Sequence, residues 1–379
     1  MKKLAVVVAT VWVLALVACT PSPTPVPATT AAPVTSVPTK AAWEQDWDRT
    51  LKAAKDEGTV FVYTGFPDSF RQALSPPMKE KYGINVEFVL GPSAQIVERI
   101  MTEQRSQTNV ADVVIIGSSQ HQMTLWPAKV DQPLAPVLVL PEVLDPKAWW
   151  DGNVPWVDRE AKTVFQFYAY VQPPFAINTG MVKPDELKSY LDISKFKGRI
   201  LMDDPTAGSG PGIQQLALTQ VLMGWDYLQQ LAQLEPVLMR DRTLAYQWLG
   251  QGKYPLLVGP EPDVLANLKK QGVPVSLVTP AEGASVTPGF GTLALVKGSP
   301  HPNAAKIFIN FLLSKEGQTA ASRATMSQSG RVDVPTNHLD PDVVRKPGMK
   351  YASATDEKFM AGQVELYNKI IALFKPLVK

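Results

Sequence analysis

From Trp43 onward, short β-prone runs alternate with stretches whose apolar residues recur every three or four positions. A chain with that rhythm has few options besides an open α/β sheet, because each crossover must return a helix over the sheet before the next strand. Trp43, Trp47, Leu51 and Ala54 mark a first helix, which Gly58 ends. Thr59–Tyr63 is a strand leading into the turn-prone Thr64-Gly65-Phe66-Pro67. Phe70–Tyr82 reads as a helix interrupted by Pro76 and Pro77, and Asn85–Leu90 as a second strand. Ser93 can cap a helix that carries Ile96, Val97, Ile100 and Met101 on one face. Val110–Ile116 is almost wholly apolar, as a strand covered on both faces must be.

The stretch from Trp126 to Trp156 is rich in proline and tryptophan and reads as irregular surface. Beyond it the pattern predicts strands at Thr163–Val171, Phe175–Asn178, Arg199–Met202, Tyr254–Val258, Val275–Thr279 and Thr292–Lys297. Helices are predicted at 212–223, 225–235, 242–249 and 262–271. The clearest amphipathic helix has Ala304, Ile307, Phe308, Phe311 and Leu312 on one face, and a last helix is expected over 356–374. Nearly half of the 379 residues are hydrophobic, enough for a large core and about two domains.

The amino terminus has a different character. Lys2 and Lys3 precede an uncharged, largely apolar run from Leu4 to Ala18, too short for a membrane span of about 20 residues but the length of a signal-peptide core. It ends in Leu16-Val17-Ala18-Cys19, which resembles the bacterial lipobox, where the chain is cut before the cysteine and the thiol takes a diacylglycerol. Residues 1–18 are therefore expected to be a signal peptide and Cys19 the lipidation site. An uncleaved anchor helix, or an ordinary secretory signal with a chance cysteine, are the other readings. Cys19 is the only cysteine, so no disulfide can form within the chain. Six prolines fall between Thr20 and Lys40, where nothing can build a core. Residues 19–42 then read as a lipid-bearing cysteine and a spacer, of which Thr20–Lys40 could extend roughly 65 Å at polyproline pitch. Removing Lys2 and Lys3 from the 37 basic residues leaves 35, equal to the 35 acidic ones. A neutral chain presents no field to draw in nucleic acid or an anionic membrane.

The loop Asp204–Gly212 is the strongest binding candidate. It is glycine-rich, carries the hydroxyls of Thr206 and Ser209, and opens a helix whose unpaired N–H groups suit an anion. A plain strand-to-helix turn explains the same residues. Arg240 and Arg242 flank Asp241, a natural N-cap, at a helix start where arginine opposes the dipole. A ligand carboxylate or phosphate would compensate; a solvated surface pair is the alternative. Tyr168 and Tyr170 share one strand, and its face either lines a cleft or packs in the core. His121, His301 and His338 show no metal spacing. There is no nucleophile elbow around Ser209, no His-Glu-x-x-His and no phosphate loop. No enzyme activity, cofactor or required metal is expected.

Several segments together resemble the bacterial extracellular solute-binding proteins of ABC importers, in the group that contains the ferric-iron and small-solute binders. They are Val60–Gly65, Ala111–Val114, Ala176–Thr179 with Val182–Pro184, Phe196–Ile200 leading into Asp204–Gly210, Gly250–Pro255, Leu295–Ala305 and Phe311–Gln318. The resemblance covers about 59–335. It implies an α/β, two-lobed type II periplasmic-binding fold with a cleft between two open sheets joined by hinge strands. Lobe one is expected at 43–165 plus 281–379, and lobe two at 166–280. It also implies hinge closure on a small solute and delivery to a permease and its ATPase; the helix-start loop with Arg240 and Arg242 points to an anionic or hydrogen-bonding organic solute. The protein would be a monomer held by its lipid on the outer face of the cell membrane, on the periplasmic side in a two-membrane cell. A sensor or adhesion role is the alternative. Expected ligand contacts are Thr64, Gly65, Phe66, Ser118, Ser119, Gln120, Tyr168, Asp204, Thr206, Ser209, Gly210, Arg240 and Arg242. Iron-holding members present adjacent tyrosines after the strand that here ends at Val258. This chain has Gly259-Pro260-Glu261-Pro262-Asp263 there, so a ferric site is not expected.

Overall fold

The computed structural model describes residues 40–208 and 211–378. Cys19 and the spacer up to residue 39 lie outside the described residues, as do Ser209 and Gly210.

Two sheets form the bodies of two lobes. In the first, β1 (Thr59–Thr64), β2 (Asn85–Leu90) and β3 (Val113–Ile116) are parallel. β13 (Thr292–Val296) runs antiparallel beside β3 and is flanked by the short β4 (Asp131–Gln132) and β5 (Phe165–Gln166). In the second sheet β7 (Phe175–Asn178), β8 (Ile200–Asp203), β9 (Val237–Met239), β10 (Leu256–Val258) and β11 (Val275–Val278) take the order β11-β7-β10-β8-β9. A third, three-stranded sheet of β6 (Tyr170–Gln172), β12 (Ala284–Thr287) and β14 (Tyr351–Ser353) carries the chain between the lobes. This is the two-lobed α/β architecture that the resemblance implies.

Burial explains the pattern. All four residues of β3 are buried, as expected for a strand covered on both faces. The helix Pro302–Leu313 is more buried than its amphipathic stripe suggests: Ile309, Asn310 and Leu313 are as hidden as Phe308 and Phe311. Asn310 is tolerated there because its amide is saturated. Its Oδ1 accepts from the N–H groups of Val139 and Leu140, and its Nδ2 donates to the carbonyls of Val137 and Lys306. Asp112, fully buried, is likewise satisfied by the N–H groups of Phe61 and His301, the Ser299 hydroxyl and the His301 ring.

Two expectations change. The helix Asp68–Pro77 runs through Pro76 and Pro77 and continues as a wide π turn over Met78–Tyr82, ending at Gly83. The wider turn relieves the clash and the missing donors that prolines bring to a helix. The last helix, Glu357–Phe374, was grouped with lobe one. It packs instead on the helices Pro211–Met223 and Trp225–Gln233 of the second lobe and on the turn Pro205–Ala207, with Met360, Ile370 and Phe374 buried. Its first turn still meets lobe one, where Gln122 Nε2 donates to the Met360 carbonyl at 2.9 Å.

Gly317 provides a test of this packing. A Cβ there would lie 2.0 Å from the Phe311 carbonyl oxygen, at the junction of two helices. Helix propensity favours Gly317→Ala by about 1 kcal/mol, whereas forcing the two backbones apart costs about 1–3 kcal/mol. The substitution is expected to lower the denaturation midpoint; a raised midpoint would contradict the close approach.

Candidate functional site

Open α/β sheets bind ligands at the carboxyl edges of their parallel strands, so the loops after β1, β3, β8 and β10 are the candidate rims. On lobe one, the Thr64 hydroxyl accepts the Phe66 N–H at 3.1 Å, and Gly65 N–H donates to the Ile115 carbonyl. This tight turn places Phe66 on Phe70, with ring centroids 4.6 Å apart. Phe66 is 6% exposed, so it floors the loop and offers a ligand little surface. Ser118, Ser119 and Gln120 form the first turn after β3; Ser118 is nearly buried and the other two are half-exposed. The loop Pro288–Gly291 joins them from the neighbouring strand, because Thr292 of β13 pairs with Ile116 at the end of β3. Gly117 packs beside the Gly289 carbonyl.

On lobe two, consecutive aspartates close β8. Asp204 accepts from the Thr206 N–H at 2.9 Å, the Thr206 hydroxyl at 2.6 Å and Arg240 Nε at 2.8 Å. Burial raises the Asp204 pKa, but Arg240 and Thr206 together outweigh it and hold the carboxyl below its ordinary range. Asp203 takes the Gly212 N–H at 3.0 Å and two guanidinium nitrogens of Arg242 at 3.1 and 3.0 Å. A third nitrogen of Arg242 reaches Glu261, and the Tyr246 hydroxyl accepts the Glu261 N–H. Asp241 caps its helix as expected, accepting the Leu244 N–H.

The sequence alone points to a ligand anion for the helix start at Gly212 and for the Arg242 fork. Both are already met by Asp203, and Arg242 by Glu261 as well, so Arg242 serves as a strut of the loop. Glu261 pairs with Arg242 and makes no capping bond, whereas Asp263 does sit in the first turn of its helix. Arg240 differs. Its side chain is 72% exposed and only Nε is engaged, which leaves its two terminal nitrogens without a partner among the described residues.

Tyr168 does not line the cleft. It is fully buried in lobe one's core, its hydroxyl accepting from Thr325 Oγ1. Tyr170 occupies the cleft position instead, in the hinge strand opposite Thr287. Burial pushes its hydroxyl up to about 12, and the negative charges of Asp263 and Glu261 add to the shift. The charges of lobe two's Glu261–Asp263 turn thus reach the hinge tyrosine. Phe290 is the residue of this group that sequence reasoning passed over. A phenylalanine between two glycines in a strand-to-strand loop was the available signal for Phe290.

Among the described residues, no group of three or more His, Cys, Asp or Glu is placed to hold a metal ion, and no helix is long and apolar enough to cross a membrane. Two surface depressions lie away from the cleft, one along the helix Ser93–Ser106 and one between Leu191 and Tyr227; neither groups reactive side chains.

The Asp204 pKa, lowered from about 3.8, makes a stability prediction. A carboxyl with a depressed folded pKa stabilises above its unfolded value and loses that contribution as pH falls through the folded one. Asp204→Asn is expected to cost about 1–2 kcal/mol at pH 7, at the low end because Arg240 is exposed. The gap to the unaltered protein should shrink below pH 4 in denaturation series; a gap that widens there would contradict the ion pair.

The sequence profile of bacterial extracellular solute-binding proteins matches residues 41–319. A Haemophilus influenzae protein, itself uncharacterised, is 22% identical over 282 residues, which are 71% of this chain and 77% of that protein. Among solved structures, Trichodesmium FutA in complex with iron and citrate is 21% identical with a TM-score of 0.65, covering 83% of this chain and 99% of its own. AfuA from Actinobacillus pleuropneumoniae, with fructose 6-phosphate bound, is 22% identical with a TM-score of 0.55, covering 84% and 99%. Ferric iron-binding protein A of Mannheimia haemolytica, in an open conformation, is 14% identical with a TM-score of 0.63, covering 84% and 98%. With the profile spanning most of its globular part, this chain belongs to the bacterial extracellular solute-binding protein family.

Proposed function

We propose that this chain captures a small anionic or polar organic solute between its lobes, closes on it about the three-stranded hinge, and delivers it to a membrane permease and its ATPase. As a member of its family it is the solute-binding component of an ABC importer and not an enzyme. The observation that carries the finer reading is Arg240, an exposed guanidinium oriented through Nε by a buried aspartate. Held in this way, its outer pair of N–H groups matches a carboxylate or phosphate. Citrate and fructose 6-phosphate, bound by two similar proteins, both carry such groups. A solute touching both lobes would stabilise only the state in which both are near, which supports closure. We further propose that residues 1–18 are removed, that Cys19 carries diacylglycerol, and that the protein works on the outer face of the membrane.

Citrate, fructose 6-phosphate and ferric citrate, tested by thermal shift and calorimetry, address the solute. An anionic organic probe is expected to raise the melting point by mass action. Arg240→Ala should weaken that probe about tenfold, with Arg240→Lys intermediate. Binding confined to cationic compounds, or to iron without an organic partner, would overturn the anion reading. For the anchor, mass spectrometry of membrane-extracted protein should find a lipid-modified Cys19 as the first residue; an uncut, unmodified terminus rejects it.

A further inference from the structure

Phe290 is unusual among the residues that edge the cleft. It is 41% exposed, yet the loop that carries it is fixed. Gly291 N–H donates to the Pro288 carbonyl at 2.7 Å, Thr292 N–H to the Phe290 carbonyl at 2.9 Å, and Gly289 N–H to the Thr287 hydroxyl. The Gly291 carbonyl in turn accepts from Phe167 N–H. The surroundings are also cut to fit the ring. A Cβ on Gly65 would lie 2.8 Å from the Phe290 ring, and one on Gly289 would lie 2.8 Å from the Tyr170 hydroxyl. The ring meets Phe66 nearly perpendicularly, at 85° and 5.8 Å, and Phe66 rests on Phe70. An aromatic held this firmly and left partly in water is preorganised, since little side-chain or loop entropy remains to be lost when something stacks on it.

The hydrogen-bonding groups around it complement a ring with polar substituents. Tyr170, next to Gly289, has no hydroxyl partner among the described residues, and the exposed Asp263, whose charge is felt by Tyr170, has no ion-pair or hydrogen-bond partner among them. Tyr170 can donate, and Asp263 can accept, at the edge of a bound ring whose face lies on Phe290. Resting on the import reading above, we propose that the solute contains a flat-faced six-membered ring that packs on Phe290, with polar groups at its rim directed to Tyr170 and Asp263. Aromatic faces take both π rings and the polarised C–H face of a sugar, so the shared chemistry is the flat face, and the test separates its two sources.

The experiment compares anionic probes that differ in the ring. Glucose 6-phosphate and 4-hydroxybenzoate carry one; glycerol 3-phosphate and citrate do not. Each is titrated by calorimetry into the full protein and into Phe290→Ala, Phe290→Leu and Phe290→Trp. The expected result is that a ring probe binds, that Phe290→Ala weakens it tenfold or more, that Leu is intermediate, and that Trp stays within about threefold. Which ring probe binds identifies a sugar or an aromatic source. Phe290→Leu keeps an apolar side chain of similar bulk, so a loss shared by Ala and Leu with unchanged melting points marks stacking, not misfolding. Failure of every ring probe to bind at 1 mM, or a ring-probe affinity indifferent to Phe290→Ala, overturns the inference. Acyclic probes that bind and are weakened by Arg240→Ala would leave the import reading standing while the ring is rejected.

Discussion

Two adjacent carboxylates at the end of β8 organise the second lobe's side of the cleft. Asp203 and Asp204 stand in succession at a largely buried strand end, and a buried carboxylate is costly unless positive charge or N–H donors meet it. The chain meets this need separately for each. Asp203 is satisfied by the first turn of the following helix and by Arg242. Asp204 is satisfied by its own turn and by Arg240. The loop after β8, the loop after β9 and the turn after β10 are thereby tied into one rim. Its free chemistry is what remains after those pairings: the outer face of Arg240 and the carboxylate of Asp263.

The first lobe builds its rim from apolar contacts and backbone hydrogen bonds instead. Phe66, Phe70 and Tyr168 form a buried aromatic floor, and glycines at 65, 117, 289 and 291 let the loops approach closely. The two lobes thus present edges of different character, one built from charged pairs and the other from aromatic contacts.

Much of this organisation was legible in the chain, and the gaps have physical causes. The strands Thr59–Thr64 and Phe175–Asn178 and the helix Pro302–Leu313 announce themselves because burial imposes their period. The hinge strand Ala284–Thr287 does not. All four of its residues are buried, and Ala, Ser, Val and Thr alternate over too few positions, with side chains too small, to mark a strand. Tyr168 and Tyr170 look equivalent in a strand of period two. The chain is irregular between them, and only Tyr170 emerges near the cleft. Arg240 and Arg242 were visible as charges, but their partners lie 36 and 39 residues earlier, and no local pattern encodes such pairing. The last helix was recognisable as a helix, while the lobe it would cover depended on an apolar face on the helix Pro211–Met223.

That last helix also places a small toll on motion. It is seated on lobe two, but its first turn holds the Gln122 amide of lobe one through the Met360 carbonyl. A rotation that swings one lobe against the other must either keep this hinge-side tether as a pivot or break it. A single neutral hydrogen bond is worth about 1 kcal/mol, a sum comparable to the bias separating two conformers of a clamp. The start of the last helix thus gives the angle between the halves a small energetic preference.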